Sequence, residues 1–439
     1  MSTSSFPRIL VVSHAVCSDT TNTGITIASF LKGWDSRAVA QLYFYNETPM
    51  SPLSDRYYRI TDFEAARSAF TRVPCGREVF QETPAPKLAQ TVSSSLPFQQ
   101  RVYAFGRKKH SLTVLGRDLI WWMARWRTPE LERWIDDFAP NLIFLVAGEY
   151  HFAYHIAQYI ARSRRIPMMV FIGDDVYNIS KSSFSLFFWL EKWLIRRTVR
   201  ETLQTTERFI AAHAMMGEEY HRLFGVQYTV IPKGCTAFAP SIQVREQEPL
   251  RIAYLGNVLS FKRWTTLRKI GEALAAINQH GAKARLELYS IEHLSPRMLE
   301  HLTIANAMTF NGALDAAGVQ RVLAEADILL HVESMDSVNR RLVRLSFSTK
   351  IPDYLGSGKC LLAVGPAEVA SVKIIHDRQL GMTISDFTQL EPLLTQLIDN
   401  PALRREFALR ALQEAHLEYD AEVNAHRFAD AVYSVTADK

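Results

Sequence analysis

Apolar runs of four to seven residues, each followed by a helical stretch, recur along this 439-residue chain, and no other feature restricts its fold as tightly. The first half opens on RILVVSH, passes the polar loop CSDTTNTG, and continues into ITIASFLKGW. The pattern returns with LIFLVAGEY before HIAQYIARSRR, with MMVFIGDD before a long helical stretch to about Arg208, and with RFIAAHA. A second series begins at RIAYLGN and runs through a helix near 265–279, ARLELYS, AMTFNG, a helix near 319–326, DILLHVES and KCLLAVG. Strands that are apolar throughout, without alternation, are buried on both faces, which describes a parallel sheet covered by helices on each side. The stretch PKGCTAFAPSIQVREQEPL, rich in Pro and polar residues, supplies a linker near 236–249. Two Rossmann-like, doubly wound α/β domains are therefore expected, over 1–236 and 248–414, followed by a terminal helical stretch over 415–439.

Several function classes are disfavoured by the same reading. No GxGxxG follows the first strand of either series, so a dinucleotide oxidoreductase has little support. Cys17, Cys75, Cys235 and Cys360 lie far apart without paired spacing, which argues against a zinc site or a disulfide framework and fits a reducing cytoplasm. No Asp-x-Asp metal motif occurs, and no metal or other cofactor is expected. No apolar run reaches the roughly 18 residues of a membrane span, and the amino terminus lacks the pattern of a signal peptide. With 48% hydrophobic and 22% charged residues and a formal charge of +5, the chain is that of a globular protein with no signature of nucleic-acid binding.

The stretch SFSTKIPDYLGSGKCLLAVGP, residues 346–366, places hydroxyls and a lysine where a short helix begins. A helix start offers unpaired N–H groups and the positive end of a dipole, so Ser348, Thr349 and Lys350 read either as an anion site or as an ordinary cap with an exposed lysine.

Taken with LGNVLSFKRW, this stretch resembles the retaining glycosyltransferases of the GT-B fold, the family-4-like group that builds bacterial surface polysaccharides. That group carries Gly-Arg with a Lys five residues beyond the Arg; Gly256 and Lys262 match, while Asn257 stands in place of the Arg. Its Glu-x7-Glu motif corresponds here to Leu345 and Asp353, the first a departure. The resemblance implies two Rossmann-like domains facing one another across a cleft, a terminal helix over 415–439 that crosses back to the N-terminal domain, and a nucleoside-diphosphate sugar as donor. It also implies a glycan or lipid-linked acceptor. Lys262, with the N–H groups of Ser348 and Thr349 and with Lys350, would neutralise the departing diphosphate. Asp353 would accept two hydrogen bonds from the ribose diol. Gly312, ending AMTFNG, falls where the group reads the nucleobase. Glu333 either fills the position vacated at Leu345 or is a solvated loop carboxylate, and Arg340, Arg341 or Arg344 is a candidate replacement for the missing arginine.

In the first half, Gly24 closes a loop where such enzymes keep a flexible turn over the phosphates and acceptor. Glu149 in GEY and Asp174 and Asp175 in GDD follow apolar runs, at the sheet edge where open α/β folds bind ligands, and are candidate groups for orienting or deprotonating the acceptor. His151 and His155 read as structural. Two readings compete with transfer: a catalytically silent GT-B binding subunit, suggested by Leu345 and Asn257, and a sugar-nucleotide 2-epimerase of the same fold.

Two basic, aromatic segments read either as packed helices with solvated arginines or as a peripheral contact with the inner face of a membrane. Residues 101–127 hold Arg101, Arg107, Lys108, Lys109, Arg117, Arg125 and Arg127 against the single Asp118, a formal +6, with Tyr103, Phe105, Trp121, Trp122 and Trp126 among them. In FSLFFWLEKWLIRRTVR a helical turn of about 100° per residue gathers Phe184, Phe187, Phe188, Leu194 and Ile195 on one face, expected to be core. Trp189, Trp193, Arg196 and Arg200 fall on another stripe, suited to an anionic lipid surface.

Overall fold

The computed structural model describes residues 6–18, 22–81, 111–178, 183–235 and 237–437. The chain divides into two compact units, one comprising Met1–Pro232 with Asn424–Lys439 and the other Lys233–Val423.

The first unit is built on an eight-stranded sheet, with β1 (Ile9–Ser13), β2 (Val39–Tyr43), β3 (Arg56–Arg59), β4 (Arg77–Val79), β5 (Leu142–Ala147), β6 (Met168–Ile172), β7 (Arg208–Ala211) and β8 (Tyr228–Val230). Its spatial order is β4-β3-β2-β1-β5-β6-β7-β8. Every pairing is parallel except β3 with β4. The central strands β1, β5 and β6 are buried along their whole length, as unbroken apolar runs require. The antiparallel β4 is a short edge whose Arg77 and Glu78 are exposed, which blunts further pairing. The helix Ala421–Thr436 belongs to this unit from Asn424 onward and buries Phe428, Val432 and Val435 against Ile9, Val11, Leu142 and Phe144.

The second unit carries a six-stranded, wholly parallel sheet: β9 (Leu250–Leu255), β10 (Ala284–Tyr289), β11 (Met308–Gly312), β12 (Ile328–Val332), β13 (Cys360–Val364) and β14 (Met382–Ile384). The order is β11-β10-β9-β12-β13-β14. Alternate residues of β9 enter opposite cores, Ile252 and Tyr254 on one face and Ala253 and Leu255 on the other, so both faces are covered. Strand order reverses between β9 and β12, and the carboxyl ends of these two strands open the crevice in which doubly wound sheets bind ligands. The helix Pro401–Glu418 buries Ala411 and Ala415 in this unit.

The helix Leu186–Leu203 differs from its expected burial. Only Ile195 of the anticipated core face is buried; Phe184 lies ahead of the helix, fully exposed, and Phe187 is exposed as well. Burial is concentrated in the last turns, at Ile195, Thr198, Val199, Thr202 and Leu203. The helix therefore docks by its carboxyl-terminal half, and the first turns project their apolar residues into solvent. Among the described residues no helix is long and apolar enough to cross a membrane.

Candidate functional site

At the switch point of the second sheet, the chain leaves β9 through Gly256. Its N–H donates to Tyr289 O at 3.0 Å, and a Cβ here would stand 2.9 Å from the Tyr254 hydroxyl, so the close approach of that ring excludes any side chain. The loop that follows is held from within: Tyr254 donates to Asn257 O at 2.7 Å, and the N–H groups of Val258 and Leu259 donate to Glu292 Oε2 at 2.5 and 3.0 Å. A 3-10 turn, Ser260–Lys262, then places Phe261 and Lys262 at φ 54° and 57°. Two adjacent non-glycine residues in the left-handed region cost on the order of 1 kcal/mol each, a strain that clusters at functional sites. Lys262 emerges exposed, its Nζ 3.7 Å from Asp336 Oδ2.

The next residue turns the other way. Arg263 grips the Glu333 carboxylate, with Nη2 at 3.0 and 2.9 Å from its two oxygens and Nε at 3.1 Å, and Nε also reaches Val332 O at 3.1 Å. Its Nη1 carries no hydrogen bond among the described residues. Glu333 corrects both sequence readings: its carboxylate is 2% exposed, neither a solvated loop acid nor an open group at the place of Leu345, which is itself buried. Burial raises its pKa, outweighing the opposing pull of Arg263. His331 lies 3.5 Å away, and burial followed by the Arg263 charge lowers its pKa to about 3, so the ring is neutral and the contact is not an ion pair.

The hydroxyl-rich turn before the helix Ile351–Gly356 is partly spent on itself. Ser348 N–H donates to Ser371 Oγ at 3.3 Å, and Ser348 Oγ accepts from Lys350 N–H at 3.4 Å, so the expected use of the Ser348 amide as a phosphate donor is corrected. The Thr349 N–H makes no hydrogen bond among the described residues, while its carbonyl accepts from Lys233 Nζ at 3.0 Å. Asp353, in the first turn, accepts from Lys233 at 2.8 Å. Lys350 has an open outer surface, yet its pKa is lowered, by burial and then by the Arg263 and Lys233 charges against Asp353 and Glu333. Among the described residues Lys350 makes no ion pair, whereas Lys233, Lys262 and Arg263 each face a carboxylate.

Gly312 closes β11 at φ 77°, a conformation suited to glycine, and its carbonyl accepts from Ser290 N–H at 2.9 Å, two strands from β9. Of the candidate arginines, Arg340 faces Glu368 at 3.3 Å and Arg341 bonds Ser337 O at 3.2 Å, both on the short helix Ser337–Leu342. The arginine planted at the site is Arg263, overlooked because it follows Lys262 where the resemblance places no charge. Lys233, within the 1–236 stretch expected to form the first domain, carries no motif that singles it out.

In the first unit the candidates do not converge. Gly24 lies in the first turn of the helix Asn22–Phe30, not in a loop, and residues 19–21 are outside the described residues. Glu149 and Asp174 are exposed beyond β5 and β6. Asp175 is committed to structure: Oδ1 accepts from the Tyr177 and Asn178 N–H groups and from the Tyr220 hydroxyl, and Oδ2 from Asn178 Nδ2 at 2.7 Å. What the carboxyl edge of β1 and β5 does gather is a stack. The His14 ring lies 3.9 Å from that of Tyr150, and the Arg117 guanidinium lies 4.7 Å over Tyr150. Below it Asp118 sits 3.7 Å from the buried His151; burial raises Asp118 to about 7 and lowers His151 to about 4. His155 is exposed. No group of His, Cys, Asp and Glu suited to a metal ion occurs among the described residues.

No protein-family model matches the sequence, and no curated protein matches it either. Solved structures do match. Sucrose-phosphate synthase from Thermosynechococcus elongatus superposes with a TM-score of 0.62 at 12% identity, covering 98% of this chain and 100% of its own. HepE from Anabaena, solved with UDP and glucose, gives 0.58 at 12% identity over 98% and 100%. WaaG, a glycosyltransferase involved in lipopolysaccharide biosynthesis, gives 0.53 at 14% identity over 97% and 99%. These neighbours span both units, each with its own parallel-rich sheet, and on that ground the chain has the GT-B fold.

Proposed function

We propose that this protein transfers a sugar from a nucleoside-diphosphate sugar to an acceptor hydroxyl, with retention of configuration and without a metal or other cofactor. The observation that carries the reading is the meeting of Lys262, Arg263, Lys350 and Asp353 around the β9/β12 switch point. Leaving-group charge is the feature such a site must stabilise, and fixed cations in a partly desolvated crevice do so at little reorganisation cost. Lys350, lacking an ion pair, is the cation readiest to meet the diphosphate; Lys262 is held only loosely by Asp336, and the unused Nη1 of Arg263 offers a further donor. The Thr349 N–H completes the set, and Asp353 takes the ribose. The UDP and UDP-glucose complexes of HepE support a donor of this class.

The acceptor in this reading is a lipid-linked glycan, met by the first unit at the inner face of a membrane. Exposed Phe184, Leu186, Phe187, Trp189 and Trp193 support it, with Leu119 and Trp122 on the neighbouring helix Ser111–Met123 and exposed Arg125, Arg127 and Arg197 near by.

Thermal shift and calorimetry with UDP, ADP, GDP, CDP and dTDP test the donor assignment. One of them should raise the melting temperature of the wild type, and Lys350→Ala should weaken its binding by roughly tenfold or more through loss of a charge-assisted contact. Equal affinity for wild type, Lys350→Ala, Lys262→Ala and Asp353→Ala would overturn the assignment.

A further inference from the structure

Asp353 and Lys350 lie on the same short turn and carry opposite charges, yet they are not paired. The carboxylate is claimed instead by Lys233, 120 residues earlier in the chain, at 2.8 Å, with both side chains more than four-fifths buried. The same ammonium donates to the Thr349 carbonyl at 3.0 Å, so one side chain fixes both the turn and the acid that follows it. Lys233 is itself held firmly. The segment after it is tied to two helices: Cys235 N–H donates at 2.6 Å to the carbonyl of Tyr419, which caps the helix Pro401–Glu418, and Ala239 N–H donates to Gly356 O, on the helix Ile351–Gly356, at 2.8 Å. A Cβ on Gly356 would overlap Cys235 Sγ, and one on Gly358 would stand 2.9 Å from Ala239 Cβ, so contact at this distance requires glycine at both positions.

Resting on the donor reading above, we infer that Lys233 is a positioning residue for donor recognition: it holds Asp353 away from Lys350, leaving the acid to the ribose diol and the lysine to the diphosphate. Without Lys233, Lys350 is a cation on the same turn whose charge already couples to Asp353. Their collapse into an ion pair would remove the ribose acceptor and the phosphate cation together. An ionised carboxylate offers about four lone-pair sites, so Asp353 gripped by Lys233 keeps acceptor capacity for a hydroxyl. No element of the GT-B resemblance marks position 233; the geometry alone does.

The experiment compares Lys233→Gln and Lys233→Arg with the wild type. Glutamine can keep a hydrogen bond to the Thr349 carbonyl while losing the charge; arginine keeps both. Affinities are measured for the nucleoside diphosphate that binds best and for its 2′-deoxy form, alongside melting temperature without ligand. Lys233→Gln should bind the diphosphate roughly ten- to thirtyfold more weakly and lose most of the preference for the ribose form, whereas Lys233→Arg should stay within about threefold. A purely structural role would lower the melting temperature and leave the ribose-to-deoxyribose ratio unchanged. That result, or unaltered affinity in Lys233→Gln, overturns the inference. If the wild type binds none of the diphosphates, the donor reading fails first and the role of Lys233 fails with it.

Discussion

His331 shows how a single side chain carries information that its place in the sequence conceals. In DILLHVES it reads as one polar residue in an apolar strand. In the fold it is buried beside Glu333, with its Nε2 lacking a hydrogen-bond partner among the described residues, and its pKa is driven to about 3. The folded value lies below the ordinary 6.5, so the unfolded chain takes up the proton first as pH falls, and stability is lost from about pH 6.5 downward. One such group removes roughly 1.4 kcal/mol per pH unit inside that window. Urea denaturation at pH 7 and pH 5 should therefore show a decline about 2 kcal/mol larger in the wild type than in His331→Gln. The comparison cancels the carboxylates common to both proteins, and parallel declines would refute the assignment. Charged residues follow the same lesson. Lys262, Lys350 and Asp353 were visible as a spaced set, but the arginine at the site was sought at 340–344 and stands at 263. Which of two neighbouring cations turns inward is decided by the left-handed turn at Phe261 and Lys262, and nothing in the residue types announces that turn.

At the level of elements, the strands were legible because parallel sheets demand unbroken apolar runs, and β1, β5, β12 and β13 are buried throughout. The helix Leu186–Leu203 was harder to read. Its periodicity gives a face but not how much of that face meets a neighbour, and of the five residues of the anticipated core stripe two are exposed and only Ile195 is buried. Arg196 and Arg200, expected at a lipid surface, are engaged with Tyr177: the Arg196 guanidinium lies 4.5 Å over the ring and Arg200 donates to the hydroxyl at 2.7 Å. Trp122, Trp189 and Trp193 remain outward and form the surface proposed to meet lipid. Vesicle sedimentation should show binding to phosphatidylglycerol-containing liposomes that weakens with salt and with Trp122→Glu or Trp193→Glu. Equal partition onto neutral and anionic vesicles, or none at low salt, would dismiss that surface as a membrane contact. Residues 101–110, which hold four of the expected cations, lie outside the described residues.

For the molecule as a whole, two doubly wound units follow from the alternation of apolar runs and helices, while the candidate site within the second unit depends on contacts across long stretches of chain. Lys233 to Asp353, Arg263 to Glu333 and Gly256 to Tyr289 are such contacts, and none is encoded in local spacing. The first unit is likewise assembled from distant pieces: Phe428 stacks on Phe30 at 5.5 Å and meets Phe144 at 4.9 Å, with its side chain wholly buried. Phe428→Ala should cost roughly 3–5 kcal/mol, and hydrogen exchange should localise the loss to β1 and β5 while β9 and β12 keep their protection. Uniform deprotection of both sheets would contradict this division of the core.

The same arrangement has a consequence for biosynthesis. The chain segment that completes the first unit's core follows the entire second unit in the sequence. At translation rates of about 5–20 residues per second, the nascent first sheet waits on the order of 10–40 s for Phe428 and its neighbours. During that interval the faces of Ile9, Val11 and Phe144 that Phe428 later covers are open, and the second unit, contiguous in the chain, emerges complete before Phe428 does. Ribosome-bound chains that stop short of Asn424 are thus the species with the greatest need of a chaperone.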